Sequence, residues 1–344
     1  MKIAQLSPMI ERVPPKKYGG TERVVSVLTE ELVRRGHEVT LFASGDSVTT
    51  ANLESVYPKP LREAKINEFQ IFQLLNAGAG FEKSNEFDLV HSHLDYYGLP
   101  FGHISKVPVL TTLHGSFNLE NRYIYSAYAD LNYVSISNAQ RKPLPILNYV
   151  ATIHHGIDVG SFPFSEEKDE YLLFVGRISP EKGVHFAIDA AKYLHKNLII
   201  AAKLDPHQKN DVRYFEEMIE PQLGGEQVKW VGEIDTEERN RLMSRACCLL
   251  HPIGWREPFG LVMIEAMACG TPVIAFNRGS VPEVLEHGKT GYIVEDLEEM
   301  VSVYENISQI PPTTCRDHVE KNFSVSKMVD QYEKIYEELV SKKK

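Results

Sequence analysis

Short apolar runs rich in β-branched residues recur through the first half of the chain, at 2–7, 38–43, 87–92, 108–113, 131–136 and 151–154. Their length and composition predict buried strands. Between the first two runs, Val24, Val25, Leu28, Leu32 and Val33 fall at helical spacing within 21–35, and Gly36 supplies a residue suited to ending a helix. The second half repeats the rhythm, with strand-like runs at 171–175, 198–202, 228–231, 247–251, 273–276 and 292–294. Helical patterns separate most of them. Such alternation demands parallel pairing, because a parallel strand is reached only through a crossover, and helices then cover both faces of the sheet. The expected fold class is α/β, with two Rossmann-like doubly wound domains.

The periodic pattern breaks at 156–169, where Gly, Pro, Ser and the Glu166-Glu167-Lys168-Asp169 cluster accumulate. This predicts an N-terminal domain over 1–155, a linker over 156–169 and a C-terminal domain over 170–323. A final amphipathic segment, 326–341, places Met328, Tyr332, Ile335, Tyr336 and Leu339 on one face, which needs a surface to cover. The lysines at 342–344 suit a solvated end.

Composition narrows the function. The 344 residues are 43% hydrophobic and 24% charged, with 37 Lys plus Arg against 47 Asp plus Glu and a formal net charge of −10. That balance excludes a general nucleic-acid binder, which needs a dense basic face. Residues 1–155 carry 15 basic and 15 acidic side chains and the remainder 22 and 32, so the whole imbalance lies in the second half. No run of about 18 apolar residues is present to span a bilayer, and the first residues lack the apolar core of a signal peptide. Cys247, Cys248, Cys269 and Cys315 show no CxxC spacing. A cytoplasmic location is expected. Residues 61–75 mix basic and apolar side chains, but similar segments commonly lie on a core, so peripheral membrane contact is not favoured. Oligomeric state is not legible.

The densest chemical signal is Glu257-Pro-Phe-Gly-Leu-Val-Met-Ile-Glu265. Pro258 suits a first helical turn and Gly270 with Pro272 an end, predicting a helix over 259–269. The first N–H groups of a helix lack internal partners and its dipole is positive there, so Phe259, Gly260, Leu261 and Val262 are candidates to receive a diphosphate. Eight residues of helix span about 12 Å, so Glu257 and Glu265 cannot form one catalytic dyad. They suit opposite ends of a nucleotide-sugar, with sugar hydroxyls at Glu257 and the ribose diol at Glu265. Taken singly, each residue fits an ordinary helix charge or core position. Together, with Leu261, Val262, Ile264 and Met267 flanking a carboxylate, they favour a ligand.

A second anion signal, Gly176-Arg177 followed by Lys182-Gly183, comes at the carboxyl end of a predicted strand, where ligands of open α/β sheets sit. Fixed cations there stabilise the charge of a departing phosphate without a metal. Gly19 and Gly20 join an early strand region to a helix and allow close backbone approach, although a flexible turn explains them nearly as well. His114 ends another predicted strand. His91 and His93 share one side of a strand, but no third ligand has metal spacing and no Asp-x-Asp occurs, so neither a metal nor a cofactor is expected.

This combination resembles the retaining glycosyltransferases of family 4, which have the two-domain GT-B fold, over almost the whole chain. The carriers are Gly19-Gly20, His114-Gly115, Val134-Ser-Ile-Ser137, Gly156-Ile-Asp158, Gly176-Arg177 with Lys182-Gly183, and the pair Glu257 and Glu265. The resemblance implies two domains facing across a cleft, with Glu265 on ribose, Arg177 and Lys182 on the diphosphate, and Glu257 with the amides after it on sugar and phosphate. It also implies that His114 contacts the sugar from the acceptor-side domain, that Val231 and Gly232 meet the base, and that a C-terminal helix within 324–344 packs back on the first domain. Two departures stand out: His155-Gly156-Ile157-Asp158 replaces the usual Asn-Gly-Ile-Asp, and Ala201-Ala202-Lys203-Leu204 replaces a glycine-containing turn. The stretch from Pro252 through Trp255 to Pro258 is similar to a subgroup acting on small acceptors. The implied function is metal-independent transfer of a hexose, glucose favoured, from a nucleotide-sugar donor, UDP-glucose favoured, to an unidentified acceptor hydroxyl with retention. The alternatives are a GT-B sugar-nucleotide epimerase and a non-catalytic nucleotide-sugar-binding protein.

Overall fold

A computed structural model describes residues 1–342; Lys343 and Lys344, two of the three lysines assigned to a solvated end, lie outside the described residues. The first sheet is formed by β1 (Lys2–Leu6), β2 (Glu38–Phe42), β3 (Asn52–Glu54), β4 (Leu89–Ser92), β5 (Val109–Thr112), β6 (Asn132–Ser135) and β7 (Tyr149–Thr152). The second contains β8 (Tyr171–Arg177), β9 (Asn197–Lys203), β10 (Val228–Trp230), β11 (Cys248–His251), β12 (Val273–Phe276) and β13 (Gly291–Val294). Their orders are β3-β2-β1-β4-β5-β6-β7 and β10-β9-β8-β11-β12-β13. Every pairing is parallel. Each sheet therefore winds outward in both directions from a central strand, β1 or β8, and the carboxyl end of that strand opens where the order reverses.

Burial accounts for the apolar runs. Every residue of β4, β5, β11 and β12 is buried, as expected of strands covered on both faces. The Gly20–Arg34 helix buries Val24, Val25, Leu28 and Leu32 and stops before Gly36, whose φ of 88° is left-handed. Strand β3 escaped the sequence reading because its three residues form a short edge strand that is exposed or half-exposed throughout.

The chain forms two units, one of Met1–Ile157 with the residues from Val325 onward, the other of Asp158–Ser324. The expected linker is thus divided, and its larger part is tied into the second unit. Lys168 Nζ donates to the Ser244 carbonyl at 2.8 Å and to Thr271 Oγ1 at 2.9 Å, and the Arg316 guanidinium donates to the carbonyls of Val159 at 3.0 Å and Phe162 at 3.2 Å. The Val325–Ser341 helix is part of the first unit and buries Met328, Tyr332, Ile335, Tyr336 and Leu339. Arg35 reaches Asp330 at 2.6 Å and Glu333 at 2.5 Å, fastening this helix beside Gly20–Arg34. Among the described residues, no helix is long and apolar enough to cross a membrane.

Candidate functional site

The carboxyl ends of β8 and β11 lie beside each other in the second sheet, and a glycine lets their following loops touch. Gly183 adopts a φ of 72° so close to the loop after β11 that a Cβ there would stand 2.0 Å from the Pro252 carbonyl oxygen. Only a residue without a side chain fits this approach. Gly254 N–H further donates to the Glu181 carbonyl at 2.8 Å. The consequence is chemical. Lys182, on the first loop, brings its ammonium to 2.5 Å from Glu257 Oε2 on the second, across 75 residues of sequence.

Glu257 is held from several sides. Its carbonyl accepts from Ser280 N–H at 3.0 Å, and Gly279, with a φ of 59°, packs against the Glu257 backbone. The Trp255 indole N–H donates to the same Oε2 at 3.0 Å, and the Trp255 ring lies beneath the Lys182 ammonium at 5.1 Å. Burial alone would raise the Glu257 carboxyl, but the Lys182 charge, the nearby His251 and the donated hydrogen bonds keep it below the ordinary glutamate value. His251, at the end of β11, is pushed down to about 4 by burial, so its ring is neutral near pH 7. Its Nε2 atom makes no hydrogen bond and lies 3.5 Å from where a Cβ on Gly260 would be.

The helix that follows runs over Leu261–Ala268, two residues later than the sequence predicted. Gly260 takes a φ of 81° and caps it, which removes Pro258 and Phe259 from the first turn. Phe259 is a core residue: it is 2% exposed, stacks edgewise on Phe323 with ring centres 5.9 Å apart, and accepts Ser280 Oγ–H on its carbonyl at 2.8 Å. The half-exposed Leu261 and Val262 begin the helix, and it is their N–H groups that lack acceptors in a preceding turn. Glu265 lies further along the same helix, 4% exposed, and accepts from the Arg239 guanidinium at 3.2 Å.

The two cations expected to act together have different partners. Lys182 is on Glu257, whereas Arg177 pairs with Glu181 and, through Nε at 3.3 Å, with Asp211. Val231 and Gly232 follow β10, with Val231 N–H donating to the Ile200 carbonyl at 3.0 Å and Gly232 at a φ of 75°. Gly19, Gly20 and His114 belong to the first unit. Gly19 precedes the Gly20–Arg34 helix, and a Cβ on it would lie 2.8 Å from Pro15 Cβ. His114 follows β5; its Nε2 is 2.8 Å from His93 Nδ1, its ring stacks on His155 at 5.2 Å, and burial pushes its pKa down to about 3. His91 and His93 are occupied by hydrogen bonds, His91 with Tyr336 and Thr112 and His93 with Gln5 as well as His114. Sequence reasoning did not single out His251, Asp211 or Arg239. It placed Trp255 only within a stretch similar to a subgroup.

Comparison with known proteins adds an independent line. Residues 18–161 match the family model described as Glycosyltransferase Family 4, and residues 161–310 match Glycosyl transferases group 1. An uncharacterized glycosyltransferase of Methanocaldococcus jannaschii is 30% identical over 299 residues, covering 78% of this chain and 81% of the relative. The N-acetyl-alpha-D-glucosaminyl L-malate synthase of Bacillus anthracis is 25% identical over 371 residues, covering 92% and 93%. Among solved structures, Anabaena HepE in complex with UDP-glucose shares the fold, with a TM-score of 0.74 and 20% identity over 98% of this chain and 100% of that one.

Proposed function

The chain belongs to the glycosyltransferases of GT-B fold, combining a family 4 half with a group 1 half, and from that premise we propose that it transfers a hexosyl group from a nucleoside diphosphate sugar, UDP-glucose foremost, to an acceptor hydroxyl with retained anomeric configuration and no protein-bound metal. The observation that carries the reading is the Lys182–Glu257–Trp255 cluster at the carboxyl ends of β8 and β11, next to the Leu261–Ala268 helix N-terminus. An ammonium and unpartnered helix N–H groups suit a diphosphate, and a buried carboxylate kept ionised suits sugar hydroxyls and positive charge at the anomeric carbon.

In this reading the bond from the anomeric carbon to the diphosphate oxygen breaks, and Lys182, Arg177 and the amides of Leu261 and Val262 stabilise the negative charge that gathers on the leaving group. The acceptor oxygen bonds to the same face of the anomeric carbon while its proton passes to the departing phosphate oxygen. Glu257 binds sugar hydroxyls and stabilises the oxocarbenium-like carbon. Glu265 accepts from the ribose diol, and Val231 with Gly232 lies by the base. His114 is kept as a neutral hydrogen-bonding group for the sugar. The relative named N-acetyl-alpha-D-glucosaminyl L-malate synthase makes L-malate a rational member of an acceptor panel.

The test is incubation with UDP-glucose, UDP-N-acetylglucosamine and GDP-mannose, with and without acceptors including L-malate, followed by product analysis. A new glycoside with the donor's anomeric configuration supports the proposal. A donor altered without any acceptor identifies an epimerase, and binding without turnover identifies a sensor. Glu257→Gln is expected to reduce turnover far more than affinity for the nucleotide; wild-type turnover in that variant would remove the assigned role.

A further inference from the structure

We infer that Trp255 is a positioning residue for Glu257: its indole N–H fixes the carboxylate through Oε2 and leaves Oε1 to receive a hydroxyl of the bound sugar. The inference rests on the proposed role of Glu257. Both donors that reach this carboxylate, Lys182 Nζ at 2.5 Å and Trp255 Nε1 at 3.0 Å, end on Oε2. The two oxygens are therefore not equivalent. The backbone of Glu257 is pinned by Ser280 and Gly279, but backbone contacts leave the side-chain torsions free, so the carboxylate plane is set by these two donors.

They differ in what a donor molecule does to them. Lys182 carries its charge on a flexible four-carbon stem, and a diphosphate, with more negative charge than one carboxylate, competes for it. The indole is neutral and gains nothing comparable from phosphate. It is also tied to its acceptor through the chain, because Glu257 N–H donates to the Trp255 carbonyl at 3.0 Å, closing a tight turn. When the ammonium shifts toward phosphate, Trp255 remains as the group that holds Glu257 in register with the sugar. A neutral donor suits that task, since it orients the carboxylate without cancelling the negative charge that the anomeric carbon needs. The ring beneath the Lys182 ammonium at 5.1 Å gives the cation a second resting place between the carboxylate and the phosphate.

The full chain has two tryptophans, so each indole N–H is separately visible by nitrogen-15 NMR. Trp230, whose Nε1 donates to the Ala202 carbonyl at 2.8 Å, is an internal reference. The Trp255 resonance is expected to move in Glu257→Gln while Trp230 stays, and to keep its hydrogen-bonded position when UDP is added to the wild-type protein. Kinetically, Trp255→Phe is expected to lower kcat with UDP-glucose about tenfold, the cost of one hydrogen bond at a developing charge, with KM changed by less than about twofold. An indole signal indifferent to Glu257→Gln, or a Trp255→Phe enzyme with wild-type kcat beside a crippled Glu257→Gln, overturns the Trp255 assignment. A Glu257→Gln enzyme with wild-type turnover overturns the reading of Glu257 instead. Should Trp255→Phe not fold, the indole response to Glu257→Gln decides.

Discussion

Gly183→Ala probes the claim that the site depends on two loops touching. At a φ of 72° an alanine carries a left-handed backbone cost of about 1–2 kcal/mol. The larger effect is steric. The new Cβ would stand 2.0 Å from the Pro252 carbonyl oxygen, and ordinary contact begins near 3.4 Å, so the loops must separate by about 1.4 Å. The clashing atom is a backbone carbonyl immediately after a buried strand and cannot rotate away as a flexible side chain does. Lys182 immediately precedes the substituted residue, so the displacement falls on its 2.5 Å contact with Glu257.

A misplacement of about 1 Å at a reacting centre costs on the order of a hundredfold in rate, which sets the expected loss in kcat/KM with UDP-glucose. Gly36→Ala separates the two contributions. Gly36 has a φ of 88° and open space where a methyl group would stand, with nothing within 4 Å, so alanine there carries the backbone cost without the clash. Thermal unfolding and steady-state kinetics of both variants make the comparison. Gly183→Ala should unfold at a lower temperature than Gly36→Ala and lose activity, whereas Gly36→Ala should retain wild-type kinetics. A Gly183→Ala enzyme within about threefold of wild-type kcat/KM would refute the dependence on loop contact, because even half the expected displacement costs more than that.

Two further outcomes concern the first unit. Burial raises the Glu22 carboxyl to about 7 despite backbone hydrogen bonds to it, so the folded chain keeps a proton that the unfolded chain releases near 4.5, and stability falls as pH rises between those values. Glu22→Gln should remove that fall, gaining up to about 3 kcal/mol at pH 8 and little at pH 4; equal gains at both pH values in urea unfolding would show that the charge is not the cause. Tyr336→Phe deletes the hydroxyl that bonds His91 Nδ1 at 2.7 Å and Gln5 Nε2 at 3.4 Å in a buried setting, and should cost about 1–3 kcal/mol. A loss below about 0.5 kcal/mol would mean that the two partners find other bonds.

The fold was legible because parallel sheets covered on both faces write themselves as uninterrupted apolar runs, and β4, β5, β11 and β12 are buried at every residue. β3 was not, since an exposed three-residue edge strand carries no such run. The site was legible as a set of residues and not as a set of contacts. Motif spacing named Lys182, Glu257, Arg177 and Glu265, and a ligand was the natural partner for each. In the structure those partners are other side chains: Glu257 for Lys182, Glu181 and Asp211 for Arg177, Arg239 for Glu265. Glu181 lies only four residues after Arg177, but the pairings of Lys182 with Glu257, Arg177 with Asp211 and Glu265 with Arg239 join residues far apart in sequence and have no local signature, because Asp211 and Arg239 sit in polar segments that read as solvated helix surface. The pairings also change what binding must accomplish. Under the proposed donor binding, a diphosphate does not meet bare cations; it has to draw Lys182 from Glu257 and Arg177 from two carboxylates, so part of its attraction is offset by ion pairs already made. The substrate's affinity then reports a difference between two partners for each cation, and a substitution that removes the competing carboxylate, Asp211→Asn for Arg177, would be felt in nucleotide binding as much as in stability.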